Sequence, residues 1–213
     1  MERVGLLGGT FDPIHFGHLR LGLELRDALV LDEVRFIPCH NPPHRTGPAT
    51  TAKQRLTMLE YALEEVSGAV IDPRELLREG PSYTVDTLAS LRKERPHAIF
   101  FWFMGMDAFA NFMSWHQWEK ILTLTHLVVS PRPGIDKSLP KPIQALLDER
   151  LIKHNVNSNF KAEQQSGGIY IEAITQLEIS ATCIRALATD GQPLNYLLPE
   201  RVRQFIEQEK IYS

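Results

Sequence analysis

Six short apolar runs, alternating with amphipathic helical patterns, set the strongest limit on what this chain can fold into. The runs span residues 4–7, 34–37, 69–72, 98–104, 127–130 and 169–173. Between the first two, Leu21, Leu25, Ala28 and Leu29 recur at one-face helical spacing, and Leu56, Leu59, Leu63 and Val66 do so between the second and third. Val85, Leu88 and Leu91 form a shorter stripe before the fourth, and Pro199 stands where a last helix burying Val202, Phe205 and Ile206 would open. Strands that are nearly all apolar and alternate with helices belong in a parallel sheet covered on both faces. The chain's 213 residues suit one α/β domain and are too few for two ordinary domains with a linker. Residues 1–213 are therefore read as a single domain whose last part, about 180–213, is helical.

Composition excludes several classes. An apolar fraction of 43% and a charged fraction of 23% are those of a globular chain, not of a disordered or membrane-embedded one. A net charge of −3 gives none of the basic field that nucleic-acid binders carry. The apolar stretch at residues 4–7 is too short for a signal peptide, and the longest apolar run, 98–106, fits a buried strand rather than a span. Cys39 and Cys183 are far apart and lack metal-type spacing, which favours two reduced thiols in a cytoplasmic protein over a disulfide.

The unusual residues fall just after the apolar runs. In open α/β sheets ligands bind beyond the carboxyl ends of the strands, so these segments converge on one edge. The strongest signal is Gly8-Gly9-Thr10-Phe11-Asp12-Pro13-Ile14-His15-Phe16-Gly17-His18. A glycine pair ending a strand lets backbone N–H groups approach an anion, and His15 and His18, three apart at a helix start, project from one side. Gly17 between them leaves room for a flat group, and the helix N-terminus adds partial positive charge. Helix-capping or metal-binding histidines are the competing readings, but the motif has neither an adjacent third ligand nor a metalloprotease-type glutamate. The second signal is Ile179-Ser180-Ala181-Thr182-Cys183-Ile184-Arg185. Here Ser180 suits an N-cap, and Arg185 offers a five-donor fork for phosphates.

The first segment resembles the signature of the nucleotidylyltransferase superfamily, and the second its ISSTxIR element, with Ala181 where serine is also common. Further matches, at Asn41-Pro42-Pro43-His44-Arg45, Pro81-Ser82-Tyr83-Thr84, Gly105-Met106-Asp107 and Trp115-His116, are similar to motifs of bacterial nicotinate-nucleotide adenylyltransferases over essentially the whole chain. The resemblance implies a Rossmann-like doubly wound parallel sheet of five to six strands, and adenylyl transfer from ATP to nicotinate mononucleotide. It implies catalytic roles for His15, His18 and Arg185, with Gly8, Gly9, Thr10, Phe11, Gly105, Asp107, Arg132, Ser180 and Thr182 on ATP. It places Asn41, His44, Arg45, Tyr83, Thr84, Trp115 and His116 with the acceptor: Trp115 stacked on the nicotinate ring, Thr84 and the His116 backbone on its carboxylate. Simpler readings stand beside several of these. Trp115 and Trp118 also fit core packing, Asp107 a helix cap, and His44-Arg45 a solvated charge pair.

No nucleophile–base pair is evident, and the reaction needs none, because the acceptor's own 5′-phosphate can attack the α-phosphorus of ATP in line. Such transfer depends on positioning and on stabilising charge along the phosphates, with Mg²⁺ held mainly by phosphate oxygens rather than by protein ligands. Other adenylyltransferases, using phosphopantetheine or nicotinamide mononucleotide, are the nearest rival readings. A silent nucleotide sensor is the rival from another class. Neither nucleic acid nor a membrane is expected as a partner.

Overall fold

A computed structural model describes residues 1–40, 47–131, 139–153, 165–175 and 177–212. Six parallel strands form one sheet: β1 (Arg3–Gly9), β2 (Glu33–Pro38), β3 (Ala69–Ile71), β4 (Ile99–Gly105), β5 (His126–Ser130) and β6 (Ile169–Ile171). Their spatial order is β3-β2-β1-β4-β5-β6, so the winding direction reverses between β1 and β4. This is the doubly wound α/β order, and the reversal leaves a crevice at the carboxyl ends of those two strands.

The helices are α1 (Phe16–Ala28), α2 (Ala52–Leu63), α3 (Thr84–Glu94), α4 (Met106–Ala110), α5 (Trp118–Leu124), α6 (Lys141–Arg150), α7 (Ala181–Thr189) and α8 (Glu200–Gln208). β4 shows why both sheet faces need covering: Phe100, Trp102 and Met104 join one core cluster, and Phe101 and Phe103 the other. Residues of α1, α2, α7 and α8 pack on the Phe101 side, and residues of α3, α4, α5 and α6 on the Trp102 side.

The helix stripes differ in detail from the sequence reading. α1 buries Leu19, Gly22 and Leu25, while Leu21 is only half-buried. Gly22 explains the shift: a Cβ there would lie 2.8 Å from the Phe36 ring, so the helix sits down onto β2 along its glycine. α2 buries Arg55, Met58, Leu59 and Leu63, placing a charged residue where Leu56 was expected. Pro199 is the N-cap of α8 rather than its first residue.

Candidate active site

β1 delivers the first motif. Its last residues are Gly8 and Gly9, and the space their missing side chains leave is filled from within the protein. A Cβ on Gly8 would lie 2.8 Å from the Trp102 indole, and one on Gly9 would lie 2.9 Å from the Phe11 ring. The glycine pair is thus also a packing requirement at the strand end. Phe11 turns the chain with φ of 49° and buries its ring beside Phe36, edge-on to His18 with centroids 5.2 Å apart.

His15 is the N-cap of α1, and its ring stacks on that of His18 at 3.8 Å between centroids. Cap and third helical residue lie on one side of a helix start, which is why the three-residue spacing brings the rings together. Gly17 makes room for this pair, since a Cβ there would lie 3.0 Å from the His15 ring. What lies against Gly17 is the site's own imidazole. The α1 amides contribute less than a bare helix start would, because Phe16 N–H donates to the Leu197 carbonyl at 3.1 Å and His18 N–H to the His15 carbonyl at 3.0 Å.

Burial lowers the His15 pKa to about 4. It also holds His18 well below the usual imidazole value, with the neighbouring His15 adding to the effect. Both rings are therefore neutral at pH 7, each with one N–H donor. Among the described residues, their Nδ1 atoms are buried without a hydrogen-bond partner. Oxygens of a phosphate chain are the kind of groups that satisfy such atoms.

The second motif closes on the first. Ser180 caps α7, its Oγ accepting the Cys183 N–H at 3.1 Å. From the next turn, Arg185 donates Nη1 to the Asp12 carbonyl at 2.8 Å and Nη2 to the Thr182 hydroxyl at 3.3 Å. Two hydroxyls assigned to ATP are thus engaged with their own helix. Asp12 is itself buried, and its carboxylate accepts from Ala49 N–H and Thr50 Oγ1, both at 2.7 Å, and from the Tyr212 hydroxyl at 2.6 Å. Below it, the buried Arg55 donates Nη1 to the carbonyls of Thr10, at 2.9 Å, and Cys39, at 2.5 Å. That guanidinium ties the ends of β1 and β2 together and sets a fixed positive charge beneath the turn.

On the β4 side, Gly105 caps α4, and Asp107 lies exposed in that helix's first turn rather than at the cap. A short 3₁₀ turn, Phe112–Ser114, then presents Trp115 and His116. Trp115 and Trp118 both pack edge-on to Phe112, at 5.7 and 5.8 Å, so the core reading holds for part of each indole. The His116 ring lies 4.4 Å from that of Tyr83, the N-cap of α3. Thr84 and Val85 open α3, and by helix geometry their amides have no intrahelical acceptor. Beneath them the buried Glu75 accepts from Thr87 Oγ1 at 2.6 Å, and burial raises its pKa. His40 is held to the same region, its N–H on Ser82 Oγ and its ring against the Arg78 carbonyl, both at 3.1 Å. Asn41, His44, Arg45 and Arg132 lie outside the described residues.

A family model described as cytidylyltransferase-like matches residues 6–187. A Methylococcus capsulatus protein named "Probable nicotinate-nucleotide adenylyltransferase" is 43% identical over 99% of both chains. An Aeromonas salmonicida protein of the same name is 44% identical over 99% of this chain and 97% of its own. The chain belongs to the nicotinate-nucleotide adenylyltransferase family. Among solved structures, the fold is similar to that of Plasmodium falciparum nicotinic acid mononucleotide adenylyltransferase complexed with NaAD, with a TM-score of 0.75 at 16% identity over 100% of this chain and 98% of that one.

Within this member of the family, the structure brings His15, His18, Arg185, Ser180 and Thr182 together on the β1 side, and Tyr83 beside His116 near Trp115 on the β4 side. Four residues that organise the site carry no role in the sequence reading: Asp12, Arg55, Glu75 and Tyr212. Arg55 had a detectable signal, because it lies four residues before Leu59 and eight before Leu63 on the buried face. Tyr212 had none, being 200 residues from its partner. No group of three or more His, Cys, Asp or Glu side chains gathers among the described residues, and no described helix is long and apolar enough to cross a membrane. Cys39 and Cys183 are free thiols.

Proposed function

We propose that this chain, acting as one catalytic unit in the cytoplasm, transfers the adenylyl group of ATP to nicotinate mononucleotide, giving nicotinate adenine dinucleotide and pyrophosphate. The observation that carries the reading is the stacked, neutral His15–His18 pair at the crevice, with the Arg185 guanidinium anchored on the same turn. Full-length relatives that bear the name of this reaction support the same conclusion.

A 5′-phosphate oxygen of the acceptor attacks the α-phosphorus of ATP in line. One P–O bond forms as the bond to pyrophosphate breaks, and no side chain becomes covalently attached. Charge builds on the phosphoryl and leaving oxygens, so donors held in place beforehand favour the transition state over the bound substrate. His15 and His18 are such donors, kept rigid by the stack, by Phe11 and by Gly17. Arg185 takes the phosphate chain on its outer donors while the Asp12 carbonyl fixes its orientation. Gly8, Gly9 and Thr10 set the path of the turn, and Asp107 and Gly105 face the ribose. Imidazoles and a guanidinium form no cation cage, so the donor set fits a Mg²⁺ ion carried by the phosphates of ATP. The bound ion would neutralise the triphosphate and ease pyrophosphate departure.

Across the crevice, Trp115 supports the acceptor ring. The Thr84 and His116 amides suit its carboxylate, since a helix start stabilises an anion better than a neutral amide. A hydrogen bond to a charged group is worth roughly 1.5–3 kcal/mol, so one such contact gives about tenfold to a hundredfold preference for the acid. The test is pyrophosphate release from ATP and Mg²⁺ with nicotinate mononucleotide, nicotinamide mononucleotide or phosphopantetheine as acceptor. Release is expected to be fastest with the nicotinate compound. Equal kcat/KM for the two pyridine nucleotides would remove the acid-specific part, and no release with any acceptor would remove the whole reading.

A further inference from the structure

Asp12 connects four parts of the molecule that are remote in sequence. Its main-chain carbonyl receives Arg185 Nη1, and its carboxylate receives Ala49 N–H, Thr50 Oγ1 and the Tyr212 hydroxyl. Tyr212 is held from its other end too. Its carbonyl accepts Thr189 Oγ1 at 2.6 Å, and that hydroxyl also lies 3.0 Å from the Arg185 carbonyl. A closed circuit results: Arg185 to Asp12, Asp12 to Tyr212, Tyr212 to Thr189, and Thr189 back to Arg185 on the same helix. The Tyr212 backbone adopts φ of 70°, which a tyrosine holds only when its surroundings fix it there. Burial, and then the Asp12 carboxylate, push the Tyr212 pKa up, so the phenol keeps its proton and stays a donor.

We propose that Tyr212 is a positioning residue for adenylyl transfer, holding Asp12 so that its carbonyl aims the Arg185 guanidinium at the phosphate chain. The proposal rests on the adenylyl-transfer reading above. The hydroxyl is engaged by Asp12, and its effect runs through Asp12 to Arg185. A charge-assisted bond from a buried phenol to a carboxylate is strong and directional, so without it the Asp12 turn gains freedom where Arg185 is anchored. The Thr50 and Ala49 bonds keep the carboxylate buried and partnered, so removing one oxygen loosens the turn without leaving an unpaired charge.

The test is a double-mutant cycle on kcat with Tyr212→Phe and Arg185→Ala, using radiolabelled ATP so that low turnover is measurable. Tyr212→Phe alone is expected to lower kcat about three- to tenfold, with both KM values nearly unchanged. In the Arg185→Ala background the same change should alter kcat by less than about twofold, because the group it aims is gone. A structural role alone would instead give the same fold loss in both backgrounds, and that result overturns the proposal, as does wild-type turnover in Tyr212→Phe. Should Tyr212→Phe not fold, Thr50→Ala removes another donor from the same carboxylate and must show the same dependence on Arg185. Independence there overturns the proposal equally. Failure of the adenylyl-transfer reading is distinct, since it appears as wild-type protein that releases no pyrophosphate.

Discussion

On the β1 side of the crevice, Phe11, Asp12 and His15 are buried, and Asp12, Arg185 and Tyr212 share one hydrogen-bond network. On the β4 side, His116 and Asp107 are exposed and Trp115 is half-buried, held by ring contacts to Phe112. In the proposed reaction the two regions serve different tasks. Buried, interlocked donors cannot follow a substrate's movement, which suits stabilisation of a transition state of one geometry. Exposed rings and helix-start amides adapt to a bound acceptor, which suits selection among similar ligands. The division predicts that damage to the β1 side appears in kcat and damage to the β4 side in KM.

The largest effect expected is that of His18→Ala. Loss of one preorganised donor lowers kcat by about 10²–10³, with little change in ATP affinity, because the contact strengthens as charge builds. Steady-state kinetics with both substrates saturating would show it. Near-normal turnover would erase the distinction between the two sides.

A smaller effect sharpens the comparison through stability rather than rate. His15 has a pKa lowered by burial from an ordinary 6.5 to about 4. Between those values the unfolded chain binds the proton more readily than the folded one, so stability falls as pH drops through the window. His18 shifts in the same direction. His15→Asn removes one of these groups, so the variant should lose less stability than wild type between pH 7 and pH 5, by roughly 1–2 kcal/mol. Denaturant midpoints at the two pH values measure this, and parallel losses would mean that His15 is not a buried neutral group.

The smallest effect belongs to Trp115→Ala. Ring stacking is worth about 0.5–1.5 kcal/mol, so KM for nicotinate and nicotinamide mononucleotides should rise roughly two- to tenfold, with kcat and the ratio between acceptors retained. A fall in kcat as large as that of His18→Ala would break the division.

Sequence legibility followed the range of the interactions. The six strands and the stripe of α3 were readable because period and apolarity are local properties, and Val85, Leu88 and Leu91 are buried as the spacing predicts. The His15–His18 pairing was readable because three residues at a helix start fix it. What escaped depends on contact between distant segments. Gly8 is glycine because Trp102 of β4 lies over it, and Gly22 because Phe36 of β2 does. Arg55 stands on a buried face because the carbonyls of Thr10 and Cys39 receive it. The apolar spacing instead pointed to Leu56, which is only half-buried.

The central claim is that the paired imidazoles stabilise charge as donors and never carry the adenylyl group. ATP made chiral at its α-phosphorus by sulfur substitution tests this directly, through the configuration of the dinucleotide product. One in-line displacement by the acceptor phosphate predicts inversion. Net retention would mean two displacements through an adenylylated side chain, with His15 or His18 as nucleophile, and would contradict the account.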